Sequence, residues 1–298
     1  METIQTSLNY QMRENPSEMK VKSALKIIIS LYFIGSIFFC GCQTTSPQAH
    51  DCMSHCIPGS SESAEPYLVN EPGRYVLAGN RHCKETGIII HADHVTLDLM
   101  GHELVGPGRD SGENYGILTN NYRNLEVRNG TIRDFGDRGI VDRGKEQPTG
   151  YKRILNIRSI SNGKCGICIG GPANLVMDCT CVGNGASGIC PGYRSRVTGN
   201  LCHGNEHIGI HAGRGCLITD NVASENGQTG IVAFCGSTVV GNTVYMNNLI
   251  NDPNHAGIRV ENGCLAKNNT LRGNKQNGFL VRGTGNEIKE NCTSDAEQ

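Results

Sequence analysis

Tyr245, Asp252, His255 and Arg259 lie within one short stretch of the 298-residue chain and are residue types that move protons or steady charge. A carboxylate, imidazole or phenol works as general acid or base once a neighbouring charge shifts its protonation, and Arg259 could supply that charge. Asp252 and His255 belong to an insert, Asp252-Pro253-Asn254-His255, between Asn247 and Gly257. The same Asp-Pro-Asn run is also ordinary turn chemistry for a long corner. The two readings differ in whether the side chains converge.

Other reactive residues are weaker candidates. His203, His207 and His211 form an H-x3-H-x3-H series around Glu206. In extended chain His207 and His211 stand roughly 13 Å apart, too far for one ion, so no metal site is expected. His50, Asp51, Cys52, His55 and Cys56 lack zinc-finger spacing and read as tether residues or a local disulfide. Cys165-Gly166-Ile167-Cys168 is a C-x2-C, while Cys168 with Cys190 and Cys181 with Cys202 share repeat offsets. The default reading of these thiols is small apolar core residues. Trp is absent, and Tyr115, Tyr122, Tyr151 and Tyr193 near inserts or corners are the candidate platforms for a sugar ring. No cofactor is expected, and no residue pattern calls for calcium.

A net charge of −1 and a pI near 6.8 argue against a nucleic-acid partner, which would favour a basic surface. Lys20, Lys22 and Lys26 precede an apolar run from Ile27 to Phe39 and then Cys40-Gly41-Cys42. That layout is a secretory leader over residues 1–42, with Met19 as an alternative start, and the run is short of a bilayer span. Gly41-Cys42 resembles a bacterial lipobox, which implies lipidation of Cys42 and anchoring in the membrane. Residues 43–66 are rich in Ser, Thr, Pro and Gly and read as a flexible linker, leaving 67–298 as one domain.

What must position the candidate residues is a repeat. Gly-Ile recurs at Gly87, Gly116, Gly139, Gly166, Gly188, Gly209, Gly230 and Gly257, and Gly278-Phe279 continues the series at spacings of 21 to 29 residues. Asn200, Asn221, Asn242, Asn269 and Asn291 form one phased column, and Asn162, Asn184, Asn205, Asn226, Asn247 and Asn274 a second. Apolar columns run through Val176, Val197, Ile218, Val239, Ala266 and Ile288, and through Cys181, Cys202, Ala223, Val244 and Leu271. Three short apolar segments per period, each bounded by Gly or Asn, predict three strands and three turns per coil. The period is too short for helical repeats. The expected fold is therefore all-β, a right-handed single-stranded parallel β-helix of about nine coils, with Gly providing positive φ at the corners.

Pro72-Gly73-Arg74-Tyr75-Val76-Leu77, Gly87-Ile88-Ile89-Ile90 and Asp93-His94-Val95-Thr96-Leu97-Asp98-Leu99 resemble the opening coils of bacterial right-handed β-helix repeat proteins. The later periods are similar to NosD-type proteins and carbohydrate-active β-helices of the pectin-lyase-like superfamily. Alginate C5-epimerases of that group carry an Asp-Pro-His motif, which the insert matches except for Asn254; one added residue reverses the face of His255 in extended chain.

The outward positions, Cys168, Cys190, His211, Val232, Arg259 and Leu280 on one strand and Arg196, Thr198, Thr219, Val240 and Lys267 on the next, give no dense polar cluster. The resulting expectation is an exported, lipid-anchored protein of the cell envelope, periplasmic or extracellular, that recognises a polysaccharide or acts as a scaffold. One alternative is a uronate-polysaccharide lyase or C5-epimerase using Tyr245, Asp252, His255 and Arg259. The other is a purely structural or adhesive surface protein.

Overall fold

The computed structural model describes residues 54–144 and 149–294. The leader, Cys42 and the first part of the linker lie outside them. The described chain is an all-parallel β-helix in which every coil lays its strands on those of the coils before and after. A small sheet stacks ten strands, from Tyr67–Val69 through Ile189–Cys190 to Phe279–Val281. A large, twenty-stranded sheet folds as two ladders, joined where Glu126–Arg133 and Arg153–Ile160 each contribute to both. These two long strands bend midway at Asn129 and Asn156, which take left-handed φ of 57° and 51°.

The interior columns are the predicted ones. Ile167, Ile189, Ile210 and Ile231 pair in register and are fully buried, as are Val176, Val197, Ile218 and Val239 on the large sheet. Each such side chain is worth about 1.5–3 kcal/mol of burial, so the stack itself is the principal source of stability.

The corners are held by asparagine. Asn184, Asn205, Asn226, Asn247 and Asn274 hand a side-chain N–H from coil to coil at 2.8–3.0 Å. Asn200, Asn221, Asn242, Asn269 and Asn291 do the same at 2.9–3.0 Å. The second Nδ2 hydrogen of Asn205 goes to the Cys181 carbonyl, so the buried amide is fully satisfied. The left-handed residue at these corners is the one just before each Asn, for example Gly204, Glu225 and Met246 at φ of 61°, 54° and 52°.

Two expectations change. Residues 54–66 are not linker: Ser54–Ile57 and Ser60–Ala64 pair with Gly73–Leu77 and Arg81–Cys83 as the first coil, which adds a rung to the expected nine. Polar composition misled because these strands are largely exposed on their outer side and bury few side chains. The Gly of each Gly-Ile is not there for positive φ. At Gly209 a Cβ would stand 2.6 Å from the Gly230 carbonyl oxygen and 2.8 Å from Asn226 Nδ2, so close approach excludes a side chain. A third corner column, Asn174, Ser195, Cys216 and Ser237, also links coil to coil; its mixed composition hides it in the sequence.

Candidate functional site

The outer faces divide into a paired and an unpaired region. In the early coils Arg74, Asp98, Glu126, Arg128 and Arg153 crowd onto one outward strip of the large sheet. Asp98 Oδ2 meets Arg128 Nε at 2.8 Å, and Glu126 meets Arg128 at 2.8 Å and Arg153 at 3.1 Å. Burial acts to raise the Asp98 carboxyl, but hydrogen bonds from the Met100 amide, Arg128 and Asn129 outweigh it and hold the group below its ordinary range. The outward positions counted from the later coils miss this cluster. Spacings of 29 and 27 residues among the early coils displace its residues from the regular offsets. The strip is a closed set of staples between coils, with each carboxylate already answered.

The proton-moving set is only partly assembled. Asp252, His255 and Arg259 come together beside the small sheet, with Arg282 and His207 close enough to act on the imidazole. Burial lowers the basicity of His255 first; Arg259, Arg282 and His207 lower it further, against the opposing charge of Asp252. Asp252 Oδ1 accepts from the Asn254 amide at 2.7 Å and from its side chain at 3.0 Å, the contacts of a turn. His255 meets Thr229 at 3.1 Å, and Arg259 leans on Glu261 at 3.6 Å. Tyr245 does not join them. It points outward from Thr243–Tyr245 on the large sheet, in register with Ser224 and Arg272, whereas Arg259 belongs to the small sheet. His203, His207 and His211 occupy a large-sheet strand, a corner and a small-sheet strand, and so face three ways.

The unpaired region is a cleft of about 630 Å³ lined by Tyr193, Arg194, Arg214, Gly215 and Cys235. Its shape comes from one corner column. Ala173, Arg194, Gly215, Gly236 and Gly263 succeed one another there, all with left-handed φ, and joined by bonds such as Arg194 N–H to the Arg214 carbonyl at 2.7 Å. Past Arg194 the left-handed backbone is met by glycine, so the column loses its side chains and leaves a floor of bare backbone. Above it stands Tyr193, 40% exposed, with the Arg194 guanidinium 6.0 Å from its ring centroid. The Tyr193 turn is rigid: Ser195 Oγ donates to the Pro191 carbonyl at 2.8 Å and Asn174 Nδ2 to the same oxygen at 2.9 Å.

Arg194, Arg214 and nearby Arg196 have no carboxylate partner among the described residues. The cleft therefore offers an aromatic face and two guanidinium groups, with no carboxylate among its described lining residues. That combination suits a ring bearing an anionic group. Of its parts only Tyr193 stands out in the sequence. The signal that could have found the rest is the change from Ala173 and Arg194 to Gly215, Gly236 and Gly263 in one repeat column.

Comparison with known proteins agrees with the fold. Residues 147–293 match the family profile described as a right handed beta helix region. Among solved structures, the Agl-KA catalytic domain superposes with a TM-score of 0.56 at 16% identity, covering 79% of this chain. The present chain spans 50% of the length of that domain. The periplasmic alginate epimerase AlgG gives a TM-score of 0.53 at 11% identity, covering 80% of this chain and 77% of its own. No curated protein matches the sequence.

Proposed function

From the premise that this chain is a right-handed parallel β-helix repeat protein, we propose that it binds an acidic polysaccharide through the Tyr193–Arg194–Arg214 cleft. The observation that carries the reading is the pairing of an exposed ring, on a hydrogen-bonded turn, with two guanidinium groups that no carboxylate among the described residues pairs with. A uronate ring can lay its C–H face on Tyr193 while its carboxylate takes a two-pronged bond from Arg194 or Arg214. The volume falls within the usual range for small-ligand sites, about 300–1,000 Å³. AlgG, named for alginate, a uronate polymer, shares the fold, which supports a polymer of this kind. The reading is recognition, because the ring face and the two guanidinium groups suffice to hold a uronate. Export and a lipid tether at Cys42 belong to the same proposal and put the cleft where envelope polysaccharides are met.

The test is calorimetric titration of the purified chain with alginate and polygalacturonate oligomers, with a neutral glucan as control. Binding of the uronates should weaken at least tenfold in Y193A and in the R194A/R214A double variant, and should fall with added salt. Equal binding of the neutral glucan, or unchanged affinity in both variants, overturns the proposal. Formation of unsaturated sugar products during titration would instead favour a lyase. The tether is checked by the mass of the mature amino terminus, which should carry acyl chains on Cys42 and lose them in C42S.

A further inference from the structure

The corner that carries Tyr193 presents a second tyrosine two coils earlier. Tyr151 N–H donates to the Pro172 carbonyl at 3.1 Å, and Ala173 N–H to the Tyr193 carbonyl at 3.1 Å. Pro172 and Tyr193 are bridge partners, so Gly150, Pro172 and Tyr193 stack in one column and Tyr151, Ala173 and Arg194 in the next. The latter three share a left-handed φ of 64°, 56° and 52°. Tyr151 is 65% exposed, more than any other large hydrophobic residue described. On the adjoining strands Arg153 and Arg196 repeat the same spacing, each in register with Leu175 of the coil between them. Glu126 divides its carboxylate between Arg128 at 2.8 Å and Arg153 at 3.1 Å, and 55% of the Arg153 side chain stays exposed. Arg153 therefore keeps the capacity to take a further anion.

We propose that Tyr151 and Arg153 form a second sugar subsite two coils before Tyr193 and Arg194, and that an acidic polysaccharide lies along the solenoid axis across both. The inference rests on the reading of the Tyr193 cleft as a uronate site and adds the direction and the minimum length of the ligand. Two coil rises separate the subsites by about 10 Å along the axis, a span for several linked rings rather than one. A ring laid on Tyr151 leaves its carboxylate to Arg153, as a ring on Tyr193 leaves its own to Arg194 or Arg214. One chain holding both subsites binds more tightly than either alone, because the second contact forms at high effective concentration.

The path between the two subsites is open and its spacing is fixed. The intervening coil contributes Pro172 and the exposed methyl of Ala173, so no long side chain stands between the rings. Beside them the corner stacks backbone on backbone: a Cβ on Gly192 would stand 2.2 Å from the Gly171 carbonyl oxygen, and one on Gly213 2.4 Å from that of Gly192. The other tyrosines near inserts or corners do not extend the track. Tyr115 is buried with its hydroxyl on Glu113 at 2.6 Å, and Tyr122 packs against the core.

The experiment titrates the full-length chain with alginate oligomers of two and of six residues, the shorter being unable to lay a ring on both tyrosines. Y151A should weaken hexamer binding at least tenfold and leave dimer binding within twofold, whereas Y193A should weaken both. Y151N, whose side chain suits the left-handed backbone, should match Y151A, and melting curves of both variants separate lost contact from lost fold. Hexamer affinity within twofold of the unmodified chain in both Tyr151 variants, while Y193A weakens both oligomers, overturns the second subsite and leaves the cleft reading standing. An equal loss for dimer and hexamer in Y151A also overturns it, because Tyr151 would then belong to a single site. Unchanged binding of both oligomers in Y193A as well overturns the cleft reading and the inference together.

Discussion

Asn205 and Asn226 share a single oxygen twice over: Asn226 Oδ1 accepts the Asn205 backbone N–H at 3.1 Å and the Asn205 side-chain N–H at 3.0 Å. The Asn226 amide then donates to the Cys202 carbonyl at 3.1 Å and to Asn247 at 2.8 Å. Replacing Asn226 by Ala removes the acceptor of two Asn205 donors and the donor to the Cys202 carbonyl in a dry corner, while Asn247 Oδ1 keeps the backbone N–H of residue 226. Each unsatisfied buried group costs about 1–3 kcal/mol, partly relieved by relaxation, so N226A should lose about 3 kcal/mol or more. The midpoint of urea unfolding measures this, and a loss below about 1 kcal/mol would show that water enters the corner.

Gly209 and Gly204 separate two reasons for glycine. Gly204 has φ of 61° and open space where a Cβ would stand, whereas Gly209 lacks positive φ but faces the Gly230 carbonyl oxygen at 2.6 Å. G204A should cost about 1–2 kcal/mol in left-handed strain. G209A should cost more, because the coil spacing itself must open. Thermal unfolding of the two variants under identical conditions ranks them.

Asp98 gives the fold an acid-sensitive staple. Its carboxyl is held below the ordinary range in the folded chain, so its contribution is complete above the unfolded value of about 3.9 and is lost as pH falls through the lower folded value. Stability should therefore decline below about pH 4, and D98N should flatten part of that decline while lowering stability at pH 7. Urea midpoints measured from pH 7 to pH 2.5 check both.

Gly215 forms the cleft floor, and a Cβ there would meet the Arg194 Cγ at 3.6 Å, an ordinary contact. Asn tolerates the left-handed φ of 65° at this position. G215N should keep stability within about 1 kcal/mol of the unmodified chain yet weaken uronate binding about tenfold by occupying the floor. Parallel melting and titration experiments distinguish that result from a general folding defect.

The repeat is legible in the sequence wherever its spacing stays near 21 residues. There Ile189, Ile210 and Ile231, and the two asparagine columns, fall where counting places them. Counting fails where one position is filled by chemically different residues that perform the same task, as Asn174, Ser195 and Cys216 do. It also fails where longer inserts shift the phase, which conceals Asp98 and Arg128. Tyr245 lies near Arg259 in sequence, yet a turn carries the chain to another face between them. The cleft is hardest to see because it is made by missing side chains, and residue types alone do not advertise an empty space.

The interchangeable surroundings of Ile189, Ile210 and Ile231 have an evolutionary consequence. A gene encoding such a chain can duplicate or lose one whole period without asking any remaining residue to change its neighbours' chemistry. Reach along the axis is thus free to drift, while girth is fixed by the columns. Novelty is cheapest at a single corner of a single period, as the bulky Tyr193–Arg194 pair beside a run of glycines illustrates.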